Sequence, residues 1–324
     1  LSDYGFKVGT PHVKTNLLGL ERHLPAIEKY RVSISGSIDL PLSLHDEYRL
    51  TKGGQKTLET ILRNVEMLRK INCKKKVSAT IFKEHFQRIG EIVSDIKYLH
   101  ENTCLDMNDF NFMIGFDYNS NGLLHPLSGQ EQVEFFERMH REFDGSSLHK
   151  GVNGPWFNEF GPTYCTNCDN CGSKFFLLEK NGDIYSCVRG QKHDEFFYGN
   201  IYENSVEEIL MAAESKILQA HANAGFDDEC GECKYLNLCK TGCPFVKNVY
   251  KSPKSYTCLL QKKLYERQGL APAQNPGAEA VRYLSEIHPE MLEDFQPKLF
   301  EENSLLDLIS KDPRLKYIYD PDSF

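Results

Sequence analysis

Long apolar runs are missing from this chain. No stretch approaches the roughly eighteen residues of a membrane-spanning helix, and no charged-then-apolar leader opens the sequence. Basic residues are in deficit, 38 Lys and Arg against 46 Asp and Glu, for a net charge of −8. That balance leaves no general electrostatic footprint for nucleic acid or anionic lipid, so neither a nucleic-acid nor a membrane partner is expected. Tryptophan is nearly absent, and the one present, Trp156, reads as a packing anchor. Cysteine is scarce in the first half, where only Cys73 and Cys104 occur, both read as ordinary half-buried thiols. An odd total of 11 cysteines, strong clustering and no secretory signal argue against a disulfide scaffold. A reducing, cytoplasmic compartment is the expectation.

What is present is an ordinary globular balance, 40% hydrophobic and 26% charged over 324 residues, enough for two domains. The opening, LSDYGFKVGTPHVKTN, reads as sequence from the middle of a domain, which predicts a fragment. Strand and helix patterns then alternate four times. PHVKTNLL, RVSISGSIDL, KKVSATIF and NDFNFMIGFDYN read as strands. GLERHLPAIEKY, TLETILRNVEMLRKI, RIGEIVSDIKYLHEN and SGQEQVEFFERMHREF read as the helices that follow them. In the second helix Leu58, Ile61, Leu62, Val65 and Leu68 keep the spacing of one buried face. The fourth opens on a capping box, Ser128 with Glu131. Such alternation predicts an α/β fold with a parallel sheet, doubly wound or part of a barrel.

Residues 144–164 carry four glycines and two prolines without periodicity and read as a linker or lid. In the block 165–268, KFFLLEKNGDIYSCV predicts a hairpin turning at Asn181-Gly182. SVEEILMAAESKILQAHANAG predicts a helix with a Ser205/Glu208 capping box and Gly225 past its end. From 269 to 324 a helical extension is expected, with Asn275 capping and Pro276 starting a helix.

The other nine cysteines fall between Cys165 and Cys258. CGECKYLNLCKTGC places four thiols, Cys230, Cys233, Cys239 and Cys243, within fourteen residues. Sets of four thiolates select zinc or iron–sulfur clusters rather than hard cations. The C-x2-C pairs at 165/168 and 230/233 leave a zinc site open. The run C-x2-C-x5-C-x3-C departs from paired zinc knuckles and favours 4Fe–4S ligation.

Cys171-x10-Gly182-x4-Cys187, then Cys230-x2-Cys233-x5-Cys239-x3-Cys243, then Cys258, resembles the seven-cysteine pattern of SPASM domains. These are the auxiliary-cluster domains of radical S-adenosylmethionine enzymes that modify peptides and proteins. SIDLPLSLHDEYRLTKGG and KTNLL resemble strand regions of the same family's barrel, so the likeness spans about residues 10–268. It implies a partial (β/α)6 barrel of the radical-SAM type, strands three to six, over 1–143. After the 144–164 linker it implies a SPASM domain over 165–268. The family's initiating motif, C-x3-C-x2-C, has no match here: Cys165, Cys168 and Cys171 are C-x2-C-x2-C, and Val246 stands where a third thiol would follow Cys243. A chain lacking the first two barrel strands and the initiating cluster is the expectation. A half-barrel completed by a partner chain is the alternative.

The resemblance also implies ligands. Cys165, Cys171, Cys187 and Cys243 would hold one auxiliary 4Fe–4S cluster, and Cys230, Cys233, Cys239 and Cys258 the other. Cys168 is left over, either spare or a replacement for Cys165 or Cys171. Ser37 and Arg49, with Thr15 and Asn16 at a strand end, match positions near S-adenosylmethionine; a rim salt bridge for Arg49 and a plain strand-end turn for the pair remain open. Asp39 and Asp117 also sit at strand ends, and His45–Asp46 reads as a structural pair. Sulfatase-maturing members carry an acid directly after the ligand that Cys187 matches, whereas Val188 and Arg189 follow here. Thioether or other cross-link formation is therefore the expected chemistry. A third 4Fe–4S cluster in the complete enzyme, a peptide or protein substrate and a flavodoxin- or ferredoxin-type electron donor are implied with it. Two other classes stay open: a non-catalytic electron-transfer or peptide-binding module, and a zinc-stabilised interaction protein.

Overall fold

The computed structural model describes residues 9–116, 122–149, 161 and 165–291. Asp117, Trp156 and most of the 144–164 linker lie outside them, as does the tail beyond 291. The chain divides into two compact units between residues 158 and 159.

The first unit holds one parallel sheet of four strands: β1 (His12–Thr15), β2 (Ser33–Ser37), β3 (Lys75–Ile81) and β4 (Phe110–Ile114), in that spatial order. Sequence order and spatial order agree because each strand returns through helical crossovers, as parallel pairing requires. These are α1 (Leu24–Lys29), α2 (Leu42–Tyr48), α3 (Leu58–Met67), α4 (Lys83–Phe86) and α5 (Ile89–Asn102), with α6 (Gly129–Glu142) after β4. Registers run Thr15 beside Gly36, Ser37 beside Ser78 and Ile81 beside Ile114, so the carboxyl ends of the strands share one edge of the sheet.

The sequence signals explain the elements. α3 buries Ile61 and Val65, and Leu68 just past its end, from the predicted stripe. Each such side chain contributes about 1.5–3 kcal/mol when fully buried. On α6, Ser128 Oγ accepts from the Glu131 amide at 3.2 Å while the Glu131 carboxylate accepts from the Ser128 amide at 2.8 Å. Its Phe135 meets Phe112 of β4 edge-on, with ring centres 5.0 Å apart. β2 is buried along four of its five residues, whereas β1 is exposed along three of four, with Val13 48% accessible. Parallel strands are ordinarily covered. Among the described residues β1 pairs with β2 alone.

The second unit opens with two short turns, Cys165–Asn167 and Cys171–Ser173, before an antiparallel sheet of β5 (Leu177–Leu178), β6 (Asp183–Tyr185) and β7 (Phe197–Asn200). Gly182 turns the β5–β6 hairpin at φ 92°, where a side chain would also strike the Tyr202 ring. α7 (Val206–Ala224) carries the Ser205/Glu208 capping box and ends at Gly225. Then come α8 (Asp228–Gly231), α9 (Leu236–Cys239), α10 (Pro244–Tyr250), α11 (Cys258–Arg267) and α12 (Pro276–Ile287), the last capped by Asn275. α12 packs inside this unit: its Ala280, Tyr283 and Ile287 form a core cluster with Cys230 and Leu236.

Candidate metal centres

Cys230, Cys233, Cys239 and Cys258 line one pocket, walled by Tyr235 and Tyr265 with Lys254 and Lys262 at its side. Short helical turns set their positions. The Cys233 amide donates to Cys230 O at 3.1 Å, the Leu236 amide to Cys233 O at 3.0 Å, and the Cys239 amide to Tyr235 O at 3.0 Å. Burial pushes the thiols of Cys230 and Cys258 up, and that of Cys239 up to about 12. Burial thus favours the neutral thiol at these three, and metal binding would displace their protons.

The next residues re-aim the chain. Lys240, Thr241 and Gly242 all take positive φ, 51°, 62° and 89°. Left-handed backbone at a non-glycine costs on the order of 1–3 kcal/mol. The bend separates Cys243 from the pocket of Cys239. Cys243 instead acts on Cys171, which also senses Cys168 and Cys187. Cys171 donates to Cys168, which holds the Cys171 thiol far above its ordinary value and draws Cys168 below. The Cys168 thiol lies 3.3 Å from Cys165 O as donor. Lys240 Nζ reaches Asp169 Oδ1 at 3.1 Å, tying the strained bend to the 165–171 loop. Gln261 Nε2 on α11 donates to Asn167 Oδ1 at 3.0 Å, a second tie to that loop.

Cys230, Cys233, Cys239 and Cys258 share one pocket, and Cys168, Cys187 and Cys243 are the thiols whose charge acts on Cys171, a first nest defined by electrostatics. Cys165 stands beside the first nest, its carbonyl oxygen on Cys168. Among the described residues no three His, Cys, Asp or Glu side chains converge on a single-ion site. Two nests of four thiols suit a cluster body in donor chemistry: soft ligands only, four to a set.

The other candidates lie at the carboxyl edge of the parallel sheet. Thr15 Oγ1 accepts from the Leu17 amide at 3.0 Å and Asn16 Oδ1 from the Leu18 amide at 3.1 Å, so both support the strand-end turn. Ser37 ends β2, half-buried. Arg49 Nε donates to Asp39 Oδ2 at 2.8 Å; Asp39 is buried and Arg49 partly exposed. His45 is wholly buried; its Nδ1 accepts from the Asp39 amide at 3.1 Å and its Nε2 lies 3.2 Å from Thr57 Oγ1. Burial pushes His45 below its ordinary value. Asp46 accepts from the Thr57 and Leu58 amides at the start of α3, a structural duty.

Sequence reasoning missed Lys247. It lies on α10 one turn beyond Cys243, only 2% exposed. Burial pushes its ammonium down to about 8, against the pull of Cys230, Cys239 and Cys243. The signal was there in CPFVK, where Pro244 starts a helix and a lysine follows one turn after the ligand.

No protein-family model matches the chain. It is similar to the serine-type anaerobic sulfatase-maturating enzyme of Bacteroides thetaiotaomicron, 24% identical over 233 residues, 64% of this chain and 54% of that protein. It is likewise similar to the cysteine-type anaerobic sulfatase-maturating enzyme of Clostridium novyi, 23% identical over 221 residues, 64% and 56% of the two. The chain spans about half the length of the curated relatives it matches. Two solved structures of native anSMEcpe share its architecture at 17% identity. One, with bound AdoMet and the Kp18Cys peptide, has a TM-score of 0.61 and covers 79% of this chain and 72% of that one. The other, with the Cp18Cys peptide, has a TM-score of 0.62, covering 79% and 73%. At this identity the likeness establishes the fold. The relatives are anaerobic sulfatase-maturating enzymes, and the architecture is the α/β radical-SAM one.

Proposed function

We propose that this chain is part of a radical S-adenosylmethionine enzyme that modifies a peptide or protein, with two auxiliary 4Fe–4S clusters in its second unit. The observation that carries this reading is the pocket lined by Cys230, Cys233, Cys239 and Cys258. The family likeness assigns the first set Cys171, Cys187 and Cys243 with Cys165, although it is Cys168 that interacts with Cys171, so Cys168 is the alternative fourth ligand. When bound, the clusters would supply one-electron chemistry or a substrate contact. This chain's residues do the positioning: the strained 240–242 bend turns the chain between Cys239 and Cys243, and Tyr235 and Tyr265 line the pocket of the second nest.

S-adenosylmethionine is assigned to the carboxyl edge of the parallel sheet, by Thr15, Asn16 and Ser37, with Arg49 held by Asp39. The exposed edge of β1 supports a further strand, with its own initiating cluster, pairing there. A flavodoxin- or ferredoxin-type protein would donate the electrons, in a cytoplasmic setting. The 324-residue chain by itself is expected to release no 5′-deoxyadenosine from S-adenosylmethionine under dithionite.

The relatives' activity makes sulfatase maturation the first candidate. Val188, directly after Cys187, favours a second reading, thioether or other cross-link formation, because no carboxylate follows that ligand. Mass spectrometry of a sulfatase-derived peptide incubated with the complete gene product separates them. Loss of two hydrogens from serine, or of the thiol from cysteine with aldehyde formation, favours maturation. An unaltered peptide, with two-hydrogen loss and a new bond in another peptide, favours cross-linking. Release of 5′-deoxyadenosine with no peptide change in any substrate contradicts both.

A further inference from the structure

Among the described residues the buried Lys247 has no carboxylate partner. Its Nζ donates to Thr241 Oγ1 at 2.8 Å, and Thr241 Oγ1 lies 2.7 Å from Tyr283 OH. Tyr283 OH in turn lies 3.4 Å from His221 Nδ1. His221 is fully buried, held neutral, and its Nε2 has no partner among the described residues. Every member of this buried chain beyond Lys247 is therefore uncharged. An ammonium has three protons to donate, and one neutral hydroxyl satisfies only one of them. Lysine is almost never fully buried unless paired, so the compensating charge has to be sought nearby. The Lys247 Nζ sits on Thr241, a residue that stands between Cys239 of one set and Cys243 of the other in the sequence, and the charges of Cys230, Cys239 and Cys243 favour its ammonium. Its position follows from the fold: Cys243 caps α10, and the Lys247 amide donates to Cys243 O at 3.0 Å, one turn along. Lys262 and Lys254, by contrast, sit at the side of the second pocket with solvent access.

We propose that Lys247 is the shared counter-ion of the two auxiliary clusters, a buried cation that holds both their reduction potentials up. The inference rests on the two-cluster reading above. A cluster held by four thiolates carries net negative charge, and each reduction adds one electron taken from the donor, with no proton moved. Net charge, hydrogen bonding and solvent exposure set its potential. A fixed buried cation favours the more negative, reduced form, and low local dielectric makes the effect larger than at the surface. Because Lys247 is anchored on Thr241, between a ligand of one set and a ligand of the other, its removal shifts both clusters together.

The test uses the whole 324-residue chain, reconstituted anaerobically, with iron and sulfide counted before an EPR-monitored redox titration. Wild type is compared with Lys247→Met, Lys247→Gln and Lys247→Arg. Both uncharged variants are expected to load wild-type iron and to lose about tenfold in the reduction equilibrium of each cluster, a fall of about 59 mV for a one-electron couple. Lys247→Arg, which keeps the charge, is expected to stay nearer wild type. Full iron with unchanged potentials in Met and Gln overturns the inference and leaves the two-cluster reading standing. Loss of iron from both uncharged variants overturns it in favour of an assembly role. Wild type that loads no cluster overturns the two-cluster reading itself.

Discussion

Cys165 and Cys168 make different contacts. Cys168 accepts a hydrogen bond from Cys171, whereas Cys165 offers its carbonyl oxygen to the Cys168 thiol. The family likeness assigns the ligand role to Cys165. Iron per chain for Cys165→Ala and Cys168→Ala decides the matter: the first is expected to lose about four irons, one cluster, and the second little. The reverse pattern exchanges the two. Cys243→Ala is expected to lose one cluster and to lower the melting temperature, because that ligand joins the 230–243 run to the hairpin. Cys73→Ala and Cys104→Ala leave iron unchanged. The cysteine spacing was legible because ligands repeat at fixed intervals. Lys247 was not, since a lysine at helical spacing ordinarily marks a solvated face. His221 was hidden for the same reason, and it sets a pH dependence. Burial first, then Lys247 and His288, push it well below its ordinary value. Below about pH 6.5 the unfolded chain takes up a proton that the folded chain refuses, so stability is lost as the pH falls. His45 and His85 are shifted the same way by burial. Thermal melts at about pH 7.5 and about pH 5.5 should show a smaller acid loss in His221→Gln than in wild type; an equal loss removes His221 from the account.

At the scale of elements, caps and close approaches govern where the ligands sit. Ser205 Oγ accepts from the Glu208 amide at 3.2 Å, and Ser205→Ala should cost about 1 kcal/mol in denaturant unfolding. Gly172, next to Cys171, lies against α7 so closely that a Cβ would fall 2.2 Å from Ala213 O, a backbone atom. Gly172→Ala should therefore push the Cys171 turn off the helix and lose the first cluster while keeping the second. Full iron in that variant contradicts the packing account. Elements with strong periodicity or capping boxes, α3, α6 and α7, were legible in the sequence. α2 was not, because seven residues after Pro41 show too little of the helical period. β7 was missed because Phe197-Tyr198-Gly199-Asn200 does not alternate. α10 begins just after Cys243 and α11 at Cys258, where the metal motif hid the helical pattern.

Over the whole molecule, two units carry two kinds of chemistry. The parallel sheet presents a strand-end edge with Ser37 and the Asp39–Arg49 pair, while the second unit concentrates nine of the chain's 11 thiols. The sheet was legible from alternation and the second unit from cysteine spacing. The bend after Cys239 was not legible, because it depends on three positive-φ residues that no periodicity announces. The central claim is that this second unit is built around two iron–sulfur clusters. Its most direct test is iron, acid-labile sulfide and zinc measured on the anaerobically reconstituted 324-residue chain. About eight irons and about eight sulfides per chain are predicted, four of each to a cluster; stoichiometric zinc with no labile sulfide would contradict the account.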